Sequence, residues 1–414
     1  DKAVEESKER VRSAITNSGA EFPIRKIIIN LAPADLKKIG PSFDLPISLG
    51  ILLASGQIKS NVAKSIFLGE LSLTGDLRPI AGVLPIALWA QETGFEKIFV
   101  PAANAAEARL ADKLEVLPVN SLRQLLDHFL GNELIAPYLA EIFLGESWPQ
   151  EYDFDMSFVK GQEHVKRALE IAAAGGHNVF MVGVPGSGKT LLARTLPSIL
   201  PPMAREEVLE TTKIYSIAGK LPYVRPLMSE RPFRAPHHST SSIALVGGGT
   251  VPRPGEITLA HRGVLFLDEF PEFPRSVLEA LRQPLEDGVI TVSRAQGSVT
   301  FPARFSLIAS SNPCPCGYTG DIEKHCVCSP GQVIKYRRRV SGPLLDRIDI
   351  HVEVPRVKVD HLTGTELGES SALVRVRVAK ARERQGQRFK QARLPFMCNA
   401  EMGAREIKVF CAMT

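Results

Sequence analysis

The run Gly183-Val184-Pro185-Gly186-Ser187-Gly188-Lys189-Thr190 constrains this chain more than any other eight residues. Its flanks are those of a strand–turn–helix unit. Residues 178–182 read as a short buried strand, and residues 191–196 as the first turns of a helix. Glycines let the backbone of the turn approach a ligand, while the helix N-terminus aims unpaired N–H groups and the positive end of its dipole at the same spot. In that setting the pattern G-x-x-x-x-G-K-[ST] implies a bound nucleoside triphosphate. Lys189 would reach the β- and γ-phosphates, and the Thr190 hydroxyl would ligate Mg²⁺.

A second run completes the first. Val264-Leu265-Phe266-Leu267-Asp268-Glu269 is four apolar residues followed by two acids, the pattern of a buried parallel strand ending at the ligand edge of an α/β sheet. There Asp268 can hold Mg²⁺ through its water shell, and Glu269 can polarise an attacking water. Acids close many core strands, so this run takes its meaning from the phosphate-loop pattern before it. Residues 305–312 read as a third strand, and its polar end makes Asn312 a candidate for orienting that water. In the run Leu344-Leu345-Asp346-Arg347-Ile348-Asp349, Arg347 can complete the site of a neighbouring subunit, a contribution of about 10³ to 10⁵ in rate for such arginines. The competing reading is a surface ion pair with Asp346 or Asp349. Action in trans would require a ring or a head-to-tail assembly.

A chain of 414 residues exceeds one ordinary core, so two or three domains are expected. The 44% hydrophobic and 23% charged content matches a water-soluble globular protein rather than a disordered one. No apolar run approaches the roughly 18 to 20 residues of a membrane-spanning helix. No basic-then-apolar leader precedes the first helical pattern, and six cysteines, four of them crowded between Cys314 and Cys328, do not form a secreted disulfide framework. A cytoplasmic protein with no membrane partner is the expectation. A net charge of +5 permits a polyanionic partner without requiring one.

Helical and strand patterns alternate over residues 1–130, with helices expected at 3–18, 83–91 and 121–130 and strands at 24–31, 66–73 and 98–101. Residues 131–157 are irregular and read as a linker. The nucleotide-binding core is expected over 158–355, and residues 356–414 contain a basic helix candidate at 372–391 whose arginines read as a solvated face first and a DNA contact second.

The order of motifs resembles an AAA+ ATPase, an α/β core with a parallel sheet and helices on both faces. Residues 231–238 (RPFRAPHH), 246–249 (VGGG), 252–261 (PRPGEITLAH), 312–317 (NPCPCG) and 342–349 (GPLLDRID) narrow the resemblance to the magnesium-chelatase-like ComM/YifB family, over essentially the whole chain. The resemblance implies ATP and Mg²⁺ as ligands and a hexameric ring, with Gly161 and Gln162 beginning the element beside the adenine. It further implies a DNA motor that promotes branch migration on single-stranded or branched DNA during natural transformation. Members of the family start earlier and run on into a helical lid with a second-sensor arginine. A chain that opens on Asp1 inside a helical pattern is therefore expected to be a fragment, carrying only the start of the lid and showing weak or no turnover.

Gly40-Pro41-Ser42 and residues 78–83 (RPIAGV) resemble the proteolytic domain of Lon proteases, in which the serine is the nucleophile and a later lysine its base. No lysine lies between Gly82 and Glu96, so Ser42 lacks an activator and the domain is expected to be an inactive scaffold.

Cys314, Cys316, Cys326 and Cys328 form C-x-C…C-x-C, and four thiolates suit tetrahedral Zn²⁺; reduced free thiols are the alternative. Two insertions read as substrate-gripping elements. Residues 213–250 carry Arg231, Arg234, His237 and His238, and residues 288–302 read as a hairpin with Arg294 and Gln296 near its tip, placed to meet DNA phosphates. A ring motor on DNA is thus the first reading. A magnesium-chelatase-type or protein-remodelling ATPase acting on a protein partner is the second, and an ATP-dependent protease is disfavoured.

Overall fold

A computed structural model describes residues 2–31, 40–140, 152–222, 226–249, 252–294, 297–357 and 367–411. The chain divides into two compact units, one of residues 1–146 with 208–228, the other of residues 147–207 with 229–414. No helix among the described residues is long and apolar enough to cross a membrane.

The first unit is built on three parallel strands, Ser65–Phe67, Lys97–Pro101 and Glu115–Val119, in that order. Alternation along the middle strand assigns its side chains to two cores. Phe99 packs with Leu45, Leu52 and Leu117, whereas Ile98 and Val100 pack with Val83, Ala87 and Val116. The helices Lys2–Asn17, Val83–Glu92 and Leu122–Leu130 match expectation. The strand expected at 24–31 does not form: Ile24, Ile28 and Ile29 are exposed, and no neighbouring strand pairs with them among the described residues. A β-branched run is only half a strand, since its backbone needs a ladder partner. The expected strand at 66–73 is divided into Ser65–Phe67 and Glu70–Leu71, with the Gly69 N–H turned toward the Ser42 carbonyl at 3.3 Å.

Ser42 lies in the one-turn helix Pro41–Phe43, and the following turn is fastened by Asp44. The Asp44 carboxylate is fully buried and accepts from Arg10 Nε at 2.8 Å. A buried ion pair that fixes the turn after Gly-Pro-Ser accounts for this motif structurally. The segment 208–228 joins this unit through polar contacts. The Ser216 hydroxyl donates to Glu107, whose carboxylate also accepts from the Leu84 N–H (2.9 Å) and the Asn104 amide (3.0 Å).

The second unit holds five parallel strands in the order Ile350–Glu353, Val179–Val182, Ser306–Ser311, Val264–Leu267, Phe233–Arg234. All four residues of Val264–Leu267 are buried, and alternation again feeds two cores. Val264 and Phe266 meet Leu192, Leu196, Val374 and Val378 on one face; Leu265 and Leu267 meet Ile257, Val277 and Leu344 on the other. The sheet is therefore a doubly covered parallel α/β sheet, which puts any ligand crevice at the carboxyl ends of its strands.

The basic helix Ser371–Gln391 differs from the solvated face expected of it. Val374, Val378 and Phe389 are buried. Arg375 donates to the Ser198 carbonyl and Arg382 to the Ala173 carbonyl, while Arg377 pairs with Glu170 and Glu369. Those carbonyls close helices, so the arginines act as caps that also carry charge complementary to the helix dipole. The expected hairpin is present, Val289–Arg294 against Gly297–Pro302, with Arg294 opposite Gly297. Gln296 at its tip lies outside the described residues, and Arg294 is placed only by its backbone.

Candidate nucleotide site

Three adjacent strands of the five-stranded sheet deliver the site. Val179–Val182 runs into the loop Gly183–Gly188 and then the helix Lys189–Ile199; Ser306–Ser311 ends beside it at Asn312, and Val264–Leu267 ends at Asp268. The loop is locally enforced. A Cβ built on Gly183 would lie 2.3 Å from the Val354 carbonyl oxygen, so only glycine fits where the loop leaves the sheet.

Lys189 is buried within this cradle. Its Nζ donates to the carbonyls of Gly183 (2.6 Å) and Val184 (3.0 Å) and to Asn312 Oδ1 (3.4 Å). Burial pulls its pKa below the ordinary lysine value, while the charges of Asp268 and Glu269 oppose that shift. An ammonium held only by carbonyls at its base gains much from a phosphate anion.

Asp268 faces Thr190 across the crevice, with Thr190 Oγ1 donating to Asp268 Oδ2 at 3.0 Å. The other oxygen of Asp268 accepts from the Ser310 hydroxyl and from the Glu269 N–H at 3.0 Å. Sequence reasoning missed Ser310. Its signal was position: in the strand Ser306–Ser311 it stands two residues before Asn312, on the same side. A hydroxyl and a carboxylate at contact distance form the hard oxygen set that Mg²⁺ favours.

Glu269 has left-handed backbone angles (φ 51°), uncommon for a residue with a side chain. Its half-exposed carboxylate lies 3.1 Å from His238 Nδ1. His238 lies against His237, with ring centroids 4.0 Å apart and the planes tilted by 35°, and meets Phe273 in an edge-on contact. Sequence reasoning placed His238 among the gripping residues, and nothing local marks its approach to Glu269. Arg231 and Arg234 were read the same way and are engaged within the unit. Arg231 donates to the Pro201 and Arg262 carbonyls and pairs with Glu207 at 3.1 Å, and Arg234 forms a two-point pair with Glu256.

Gly161 and Gln162 both have left-handed backbone angles and precede the helix Glu163–Gly175. Gln162 Nε2 donates to the carbonyls of Ser187 and Pro355, each at 2.8 Å, tying the phosphate loop to the end of the sheet. Arg347 is partly exposed. It pairs with Glu286, rather than with Asp346 or Asp349, and donates through Nη1 to the Pro343 carbonyl at 2.8 Å. Asp349 is occupied by His177 (3.4 Å) and by the Asn178 N–H (3.0 Å).

The four sulfurs of Cys314, Cys316, Cys326 and Cys328 all lie within 4.8 Å of one another. Cys314 and Cys316 are 3.4 Å apart, Cys314 and Cys326 3.7 Å, and Cys316 and Cys326 3.5 Å. Backbone amides of Thr319, Cys316 and Cys328 donate to sulfurs of the group at 3.3 to 3.4 Å. Burial pushes the Cys314 thiol up, but hydrogen bonds from Thr319, Cys316 and Cys326 together bring the pKa down to about 6. The set can hold a metal ion.

Comparison with known proteins agrees with this geometry. The family described as magnesium chelatase, subunit ChlI, matches residues 155–362; related ChlI descriptions match residues 1–104 and, as the ChlI C-terminal part, 368–414. YifB of Salmonella typhimurium, described as uncharacterized, is 46% identical over 99% of this chain and 79% of its own length. The competence protein ComM of Haemophilus influenzae is 45% identical over the whole of this chain and 80% of its own. The chloroplastic magnesium-chelatase subunit ChlI of Oryza sativa is 28% identical over 39% of this chain and 44% of its own. These matches point to an AAA+ ATPase, and with 45% identity along its full length to proteins named ComM and YifB the chain belongs to the magnesium-chelatase-like ComM/YifB family.

Proposed function

We propose that this protein is a ring-forming AAA+ ATPase that hydrolyses ATP to move along DNA. The observation that carries the chemical part is the convergence of Lys189, Thr190, Asp268, Glu269 and Asn312 at the carboxyl edge of one parallel sheet. In this reading the backbone N–H groups of Gly183–Gly188 cradle the phosphates, and Lys189 moves from its carbonyl partners to the β- and γ-oxygens. Asn312 orients the attacking water and Glu269 takes up its proton. Mg²⁺, held by Thr190 and Asp268, would neutralise charge on the phosphate oxygens. Gly161 and Gln162 border the base, and Arg347 leaves Glu286 to complete the site of the next subunit in a hexamer.

The DNA part rests on the likeness to a protein named for competence and on the hairpin Val289–Arg294/Gly297–Pro302, whose Arg294 and Gln296 would meet phosphates. The zinc part rests on the spacing of the four sulfurs, which suits a tetrahedral tetrathiolate site with Zn–S bonds of about 2.3 Å. The experiment is phosphate release by the full-length protein, with and without single-stranded and branched DNA. DNA stimulation that fades steeply with salt supports the motor. Stimulation by a folded protein partner, with no response to DNA, would instead favour the chelatase-type or remodelling reading.

A further inference from the structure

The loop that carries the four cysteines has no core of its own. Ile322 is 99% exposed and Val327 83%, so apolar burial does not explain why the chain from Asn312 to Ser329 folds back until four sulfurs meet. The Arg356 guanidinium holds the loop at the buried Asp321 carboxylate (2.8 Å), but that pair does not bring the sulfurs together; a cross-link at the sulfurs would, and would offset part of the entropy of closing the loop.

This knuckle presses on the nucleotide site at one point. Gly317 has φ +88°, and its N–H closes a turn onto the Cys314 carbonyl at 3.0 Å. A Cβ built on Gly317 would lie 2.6 Å from Pro185 Cγ and 2.7 Å from Cδ. The backbone of the knuckle is thus in close contact with the ring of Pro185. Pro185 is the third residue of the phosphate loop, directly after the Val184 carbonyl that holds Lys189. At its other end the knuckle continues into Asn312, the partner of the same lysine. One element thus touches the loop at Pro185 and the lysine that follows the loop at Asn312. Arg337, from the helix Pro330–Arg337, donates to the Pro313 carbonyl and fastens that element to the body of the unit.

We propose that the metal-filled four-cysteine knuckle holds the phosphate loop in its nucleotide-binding shape through the contact of Gly317 with Pro185, so that metal occupancy sets nucleotide affinity. The inference rests on the zinc reading above and adds a positioning role for Gly317. No reacting atom touches Gly317; it acts through Pro185 on the backbone amides that receive the phosphates.

Two quantities test it in the full chain: zinc released on denaturation, read with a chromogenic chelator, and the dissociation constant of a fluorescent non-hydrolysable ATP analogue. The wild-type chain should carry close to one zinc. Cys326→Ser with Cys328→Ser should lose the zinc and bind the analogue at least ten-fold more weakly. Gly317→Ala should keep its zinc and still bind at least three-fold more weakly because its Cβ would push on Pro185, and chelator-stripped wild type should also bind more weakly, which a purely structural metal site does not predict. Zinc returned to chelator-stripped wild type should restore affinity. Zinc below about half an equivalent in the wild type overturns the zinc reading, and this inference with it. A full equivalent of zinc in the wild type and in Gly317→Ala, with wild-type affinity in that variant and in the stripped protein, overturns the inference alone.

Discussion

His238 and Glu269 meet through Nδ1 and Oε2 at 3.1 Å, although they come from different segments that flank the strand Val264–Leu267. An exposed glutamate on a left-handed backbone has few other restraints, and the imidazole sets where its carboxylate lies. Replacing His238 with alanine is expected to lower turnover about ten-fold, less than the 10² to 10⁴ expected for loss of the general base itself, with nucleotide affinity unchanged. Steady-state rates beside a binding titration check this. A parallel loss of binding would mean that His238 supports the fold rather than the base.

Glu269→Gln should separate binding from chemistry more sharply. The amide keeps the size and the hydrogen-bonding reach of the side chain but cannot take a proton. Turnover is expected to drop by about 10² to 10⁴, with the ATP analogue bound as before. Lys189→Ala should weaken binding itself, since it removes the ammonium that the proposed site offers to the phosphates. Equilibrium binding of both variants distinguishes the two roles.

Ser310→Ala removes the hydroxyl that donates to Asp268. The loss is expected to be about 1 kcal/mol of hydrogen-bond free energy. It should read out as a higher Mg²⁺ requirement for turnover rather than as a change in nucleotide affinity measured without metal.

The helix Ser371–Gln391 makes a prediction about pH. The Arg377 guanidinium beside Glu170 and Glu369 holds both carboxyls below the ordinary glutamate value of 4.5. Carboxyls with lowered folded-state pKa stabilise fully above that ordinary value, and the stabilisation is lost as pH falls through the lowered values. Arg377→Ala should therefore cost at most about 1 kcal/mol near neutral pH, Arg377 and Glu369 being half exposed and Glu170 keeping its pair with Arg167. The variant and wild type should converge in acid. Urea unfolding at neutral pH and in acid checks both the size and the sign.

The parts of the site that lie close together in sequence were legible before the structure. Gly183 to Thr190 is one continuous stretch of loop and helix start, and Asp268 and Asn312 are marked by the apolar strands that end at them. What escaped depends on distant pairing. Ser310 and His238 are brought to the site by their contacts with Asp268 and Glu269, which no local spacing reveals. Arg231 read as part of a substrate-gripping element because the carbonyls of Pro201 and Arg262 that receive it are invisible in sequence. Residues 24–31 failed for the complementary reason: their composition suits a strand, but a strand exists only beside another. Arg347 was weighed against Asp346 and Asp349, its neighbours along the chain, and the structure pairs it with Glu286 from a separate helix.

Arg347 also bears on the account as a whole, which holds that hydrolysis happens at a seam between subunits. The most direct measurement mixes two inactive full-length proteins, Arg347→Ala and Glu269→Gln, and follows phosphate release in the presence of single-stranded DNA. A seam that joins Glu269 of the first to Arg347 of the second has both halves intact. Random mixing in a ring should therefore restore about a quarter of the wild-type rate. A mixture as inactive as its two components would contradict the account.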